Sequence, residues 1–262
     1  MGSGRISRTR TALRAVIFVL IAVLGIGLIS PAFVVNNEWD MRHVHGFFLE
    51  PEDSLDVVLI GASQLYTGYS APLAWRDYGF TSYPLAVSAA QGTMYPSMLR
   101  EAARRQTPGV YIVEVNGFLY TAEERDEFSH AALRKWIDTI PLSANKLDTI
   151  RTCIPAEKRS TYYFPLLKYH TFWKCAGDIR RSLSLQQQAR SVGYSYTKPF
   201  LSISMFLTET DEIPVRQQSL DNFNEQSLRT FCETAKKLGI QNVLFARFPH
   251  RTVIKNYDAV FA

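Results

Sequence analysis

Four apolar residues, Val57-Val58-Leu59-Ile60, stop at Gly61-Ala62, and Ser63 follows at once. A short branched run bounded by small residues predicts a strand buried on both faces, handing over to a tight turn. A serine at that point lies at the carboxyl edge of a sheet, where open α/β folds bind their ligands. It also lies beside the N–H groups that open the next helix, which stabilise negative charge. Ser63 is therefore the expected nucleophile. The plainer reading of the same residue is a helix cap.

The rest of the chain repeats this pattern. Residues 82–87 and 110–115 are two further strand candidates, and residues 240–246 a fourth. Helical spacing falls between them at 72–78, 94–105 and 221–238, with Gly79, Pro108-Gly109 and Gly239 as stops. Strands alternating with helices predict parallel pairing and right-handed crossovers. Residues 129–140 also read as helical, inside an aromatic-rich insertion at about 121–211 that contains Tyr162, Tyr163, Phe164, Phe172 and Trp173. Acyl transfer needs a nucleophile, a base and oxyanion donors. Ser63 N–H, Gly92 N–H and the Asn116 amide all follow strand ends and are the expected donors. Ending after a fourth strand is expected to leave an unburied edge.

Residues 15–35 carry no charge over 21 positions. At about 1.5 Å per residue that length covers a bilayer core of roughly 30 Å. It is longer than the apolar core of a signal peptide, so a retained anchor is expected. Arg5, Arg8, Arg10 and Arg14 precede it, which places the N-terminus in the cytoplasm and the main domain outside. The expected layout is a basic tail at 1–14, an anchor at 15–35, a linker at 36–54 and a domain at 55–262. The net charge is +5, and removing those four arginines leaves +1, so nucleic acid is not an expected partner.

The three cysteines form neither a disulfide scaffold nor a zinc signature; Cys153 and Cys175 are close enough in sequence to pair, with Cys232 buried in its helix. His43 and His45 are two apart, but a linker packing Trp39, Phe47 and Phe48 onto the domain or the bilayer is the blander reading. No metal and no cofactor is expected. A flavodoxin-like cofactor binder is the weakest alternative, because no glycine-rich fingerprint follows the first strand.

The blocks L-D-V-V-L-I-G-A-S-Q-L-Y-T-G, Ala90-Gln91-Gly92 and Glu114-Val115-Asn116-Gly117, together with the N-terminal anchor and the segment at 164–173, resemble the SGNH (GDSL-like) hydrolase superfamily. Within it they are similar to membrane-anchored bacterial proteins related to DltD, of D-alanyl-lipoteichoic acid biosynthesis. The resemblance spans about residues 36–255. It implies a three-layer α/β/α domain of flavodoxin-like SGNH type with a mostly parallel sheet. It also implies an esterase or O-acyltransferase acting on acyl groups of a cell-envelope polymer; the anchor itself favours an acylated polymer or lipid-linked substrate, and the aromatic segment reads as a satellite core, a lid or a surface for a partner in the membrane. The family's late Asp-x-x-His, which supplies the base, has no match here. Three readings remain. The chain lacks a last strand with that dyad; His250, with Asp258 as orienter, or His170 substitutes; or the domain is a non-catalytic accessory that binds a glycopolymer or a membrane partner.

Overall fold

The computed structural model describes residues 3–34, 39–170, 177, 180, 183, 215–217, 220–249 and 253–257. The first four strand candidates form one parallel sheet. The strands β1 (Val57–Gly61), β2 (Ser82–Ala86), β3 (Val110–Glu114) and β5 (Val243–Ala246) lie in the order β2-β1-β3-β5. Val57 is level with Ser82 on one side and Val110 on the other, and Tyr111 is level with Val243. Two short strands, β4 (Val215–Arg216) and β6 (Val253–Ile254), make a separate parallel pair that no sequence pattern indicated. The protein is thus α/β, built on a four-stranded parallel sheet.

Alternate strand residues feed two apolar clusters, as the period of two requires. Val58, Ile60, Leu85 and Val113 join the larger one, which includes Trp136 and Phe231. Val57 and Leu59 join a smaller one with Leu65 and Tyr66. Around the sheet run α3 (Ser63–Gly68), α4 (Ala71–Tyr78), α5 (Tyr95–Arg105), α6 (Ala122–Ile137), α7 (Ala144–Cys153), α8 (Ser160–Tyr163), α9 (Pro165–Tyr169) and α10 (Asn222–Lys237). The helix read at 129–140 begins seven residues earlier, because Thr121 and Glu124 form a capping box. Gly79 and Gly239 take the left-handed conformation (φ 76° and 71°) just past their helices, as a C-terminal stop requires.

The N-terminal helix α1 is Ser3–Ile29, and its stretch Arg10–Ile29 has a mean hydropathy of 2.7. Its length and composition fit one membrane crossing. The apolar run at 15–35 ends as helix at Ile29 because Ser30-Pro31 tightens into a 3-10 turn, Ser30–Phe33. Val34, expected within the anchor, is instead buried with Met41 and Tyr169 of the domain.

The expected linker at 36–54 contains a helix, α2 (Trp39–Leu49), that belongs to the core. Met41, Val44 and Phe47 recur every three residues and are buried. Phe47 meets the Tyr83 ring edge-on at 5.4 Å, and the Tyr83 hydroxyl donates to His43 O at 2.6 Å. A side chain at Gly46 would run into that hydroxyl. Asp40, in the first turn, pins the helix to the carboxyl edge of the sheet. It accepts from Ser88 N–H (2.7 Å), the Tyr66 hydroxyl (3.1 Å) and Lys135 Nζ (2.8 Å). Asp40→Asn puts an amide N–H against one of these donors and is expected to lower stability by about 2 kcal/mol. Chemical unfolding of both proteins checks this, and equal midpoints would remove Asp40 as the anchor point.

Two cysteine expectations are corrected. Cys232 is exposed, because α10 buries Ser227, Phe231 and Ala235 four residues apart and Cys232 turns off that stripe. Cys153 is a free thiol whose Sγ donates to Thr93 O at 3.7 Å; Cys175 lies outside the described residues. β5 is last in the strand order, and its Leu244 and Phe245 are 58% and 45% exposed. The surface excursion read at 186–211, and Trp173, lie outside the described residues.

Candidate functional site

The polar carboxyl edge of β1 and β3 is organised by Glu114, the last residue of β3. Its side chain is fully buried. Oε2 accepts from Ala62 N–H at 2.6 Å and Oε1 from Asn116 Nδ2 at 3.2 Å. A side chain on Gly61 would collide with the Glu114 carboxylate, so glycine is what lets β1 and Glu114 approach. Burial pushes the Glu114 carboxyl up to about 7, against the pull of those two hydrogen bonds. Sequence reading placed Glu114 in the third family block but gave it no role. The available signal was a lone carboxylate inside the apolar run V-Y-I-V-E-V.

Ser63 opens α3 directly after Ala62 and is half-buried. As the first helical residue its N–H has no intrahelical acceptor. Its hydroxyl has no hydrogen-bond partner among the described residues. A side-chain cap is not its role: Ala62 occupies the cap position.

The other expected donors are already occupied. Gly92 N–H donates to Gly117 O at 2.7 Å, and a side chain at Gly92 would strike the Phe118 ring, so Gly92 serves packing in this conformation. Asn116 follows β3 as expected, but its Nδ2 donates to Glu114 and to Phe248 O (3.4 Å), while its Oδ1 accepts from the Tyr257 hydroxyl at 3.5 Å. Of three expected oxyanion donors, Ser63 N–H is the one with no acceptor among the described residues.

Asn116, Gln64 and Ala62 line a cavity of about 40 Å³, closed by Tyr120, Glu124 and Ile254. At about 10–15 Å³ per water it holds roughly three waters. Gln64 Oε1 is buried beside it with no partner among the described residues. Gln64, Tyr120, Glu124 and Ile254 were not singled out in the sequence, because they come from three distant segments.

Of the described histidines, His43, His130 and His170 have partners of their own. His43 stacks edge-on against Trp39 (4.1 Å) and Tyr66 (4.9 Å), and burial lowers it to about 3, so it stays neutral. His130 meets Lys158 Nζ at 2.9 Å. His170, one of the two substitute bases expected, is exposed on α9 with Nδ1 on Leu167 O at 2.8 Å. His250 and Asp258 lie outside the described residues. The segment leading to His250 does reach the site, since Pro249 and Phe248 are the nearest atoms to Gly68 of α3 and Phe248 O binds Asn116. Among the described residues no group of three or more His, Cys, Asp or Glu could hold a metal ion. No protein-family model, curated protein or solved structure matches this chain.

Proposed function

We propose that the chain is a membrane-anchored SGNH-like serine esterase or O-acyltransferase, with a three-layer flavodoxin-like domain facing outward and its N-terminus in the cytoplasm. The observation that carries this reading is Ser63, whose hydroxyl has no partner among the described residues at the first turn of α3, on the carboxyl edge of a parallel sheet. Ser63 Oγ attacks the ester carbonyl of the substrate as the base takes its proton; the acyl C–O bond breaks and the alcohol leaves with that proton. The Ser63 N–H faces the oxyanion, and water or a polymer hydroxyl resolves the acyl-enzyme. The base this reading requires is His250, the residue after Pro249 in the sequence.

The tether supports one substrate class over another. Asp40 holds α2 at the carboxyl edge, ten residues after Ile29, a span of at most about 35 Å when fully extended. The site therefore stays near the bilayer, which favours an acylated envelope polymer, a lipid-linked donor or a partner in the membrane over a free metabolite. A second reading, a glycopolymer-binding accessory without catalysis, is favoured by the commitment of Gly92 N–H and the Asn116 amide to protein acceptors.

A serine-directed fluorophosphonate decides between them. The full chain in detergent is expected to label, Ser63→Ala to lose the label, and His250→Ala to label at least 100-fold more slowly. Absence of labelling, or labelling that survives Ser63→Ala, gives the site to the accessory reading.

A further inference from the structure

A cavity larger than the one lined by Ala62, Gln64 and Asn116 lies elsewhere. A groove of about 600 Å³ runs between the outer end of α1 and the domain. Val23, Leu24 and Leu28 of α1 form one wall, and Leu142, Leu147 and Phe164 face them. The volume is that of an ordinary ligand site, about 300–1,000 Å³. Leu28 is 81% and Leu142 82% exposed, so the groove is open and its lips are apolar.

Its position says what fills it. The α1 residues of the wall lie inside the stretch whose composition fits a membrane crossing, Arg10–Ile29. At about 1.5 Å per residue, Val23 sits roughly 9 Å below the end of that stretch, the depth at which headgroups give way to acyl chains. Bilayer lipid is what surrounds that wall.

The inner end of the groove is polar and carries a cation. Lys146 and Asp138 both line it. Asp138 is answered by Arg134 (3.3 Å) and by the Tyr169 hydroxyl (2.8 Å). Lys146 Nζ donates to Ile140 O at 3.1 Å, and no described carboxylate lies within ion-pair distance of it. Its remaining N–H donors suit a phosphate oxygen. Burial holds its pKa below the ordinary lysine value, against the opposing pull of Asp138 and Glu101.

We propose that this groove holds one anionic membrane phospholipid, with an acyl chain between α1 and Leu147 and the phosphate on Lys146. The site is separate from Ser63, and the lipid is a resident ligand that seats the domain on the bilayer. It needs α1 to be in a membrane but does not need Ser63 to be catalytic.

The test uses the full chain in nanodiscs of phosphatidylglycerol and phosphatidylcholine, with a trace of phosphatidylglycerol carrying a diazirine on its acyl chain. Cross-links are expected on peptides from residues 138–150 as well as on α1. A phosphatidylcholine probe of the same chain is expected to label the domain peptide at least fivefold less. Lys146→Gln is expected to erase that headgroup preference. Leu142→Ser with Leu147→Ser, both at exposed positions that the fold does not rely on, is expected to halve domain labelling or more. Labelling confined to α1, equal labelling by the two lipids, or labelling unchanged in both variants overturns the proposal. Fluorophosphonate reactivity of Ser63 reads out separately, so either idea can fail alone.

Discussion

Replacing Trp136 by alanine is expected to cost about 3–5 kcal/mol of stability, the range for emptying a buried indole from a core. Trp136 is fully buried on α6 and joins the main apolar cluster. It also carries a polar link. Its Nε1 donates to Ser97 Oγ of α5 at 2.9 Å, and Thr149 Oγ1 of α7 donates to the same oxygen at 2.6 Å. Asn145 Nδ2 donates to Ser97 O at 2.9 Å, so one residue of α5 gathers two helices. Trp136→Ala leaves a cavity and takes one donor from Ser97. Trp136→Phe keeps most of the volume, loses the N–H, and is expected to cost about 1–2 kcal/mol. Denaturant unfolding of the three proteins in one detergent measures both. A loss under about 1 kcal/mol for the alanine variant would show that the α5–α6–α7 layer collapses onto the gap.

The second large effect is a pH dependence centred on Glu114. Its carboxyl titrates near 4.5 when exposed and is pushed up to about 7 here, chiefly by burial. The folded protein therefore holds this proton over a range where the unfolded chain has lost it. The stability contributed is fully present below pH 4.5 and is lost as pH rises through 7. A shift of this size corresponds to about 3 kcal/mol. Glu114→Gln keeps the shape and cannot ionise. The stability difference, wild type minus Glu114→Gln, is expected to fall by about 3 kcal/mol between pH 4.5 and 8. Parallel profiles would mean that water reaches the carboxylate. Glu114 accepts from both Ala62 N–H and Asn116 Nδ2, so ionisation strengthens those two bonds while burial opposes the charge.

The four main strands were legible because each is a short apolar run closed by small or polar residues; β1 and β2 are buried on both faces and must be written that way, while β5 keeps the pattern with Leu244 and Phe245 exposed. The helix of residues 222–237 was legible for a similar reason, since its buried positions recur at helical spacing. The pair β4 and β6 was not, as two-residue strands carry no period. Helix α2 was read as a linker because Asp40, His43 and Gly46 interrupt its apolar pattern. Each is buried for a tertiary reason: a salt link to Lys135, a stack between two rings, and room for the Tyr83 hydroxyl.

Ser63 could be picked from sequence because its place depends only on where one strand stops. The state of its neighbours could not, because a hydrogen bond is made by whatever the fold brings within about 3 Å. Gly92 N–H goes to Gly117, Asn116 to Glu114 and Phe248, and Lys135 to Asp40, pairs separated by 25, 2, 132 and 95 positions. The sequence by itself determined an apolar helix long enough to cross a membrane, a parallel α/β sheet, and a serine at its carboxyl edge, since these follow from local period and composition. Only the tertiary structure decided which donors at that edge are spent, that Glu114 keeps its proton near neutral pH, and that the outer end of α1 faces an apolar groove. Those depend on burial and distance between segments, which no local pattern encodes.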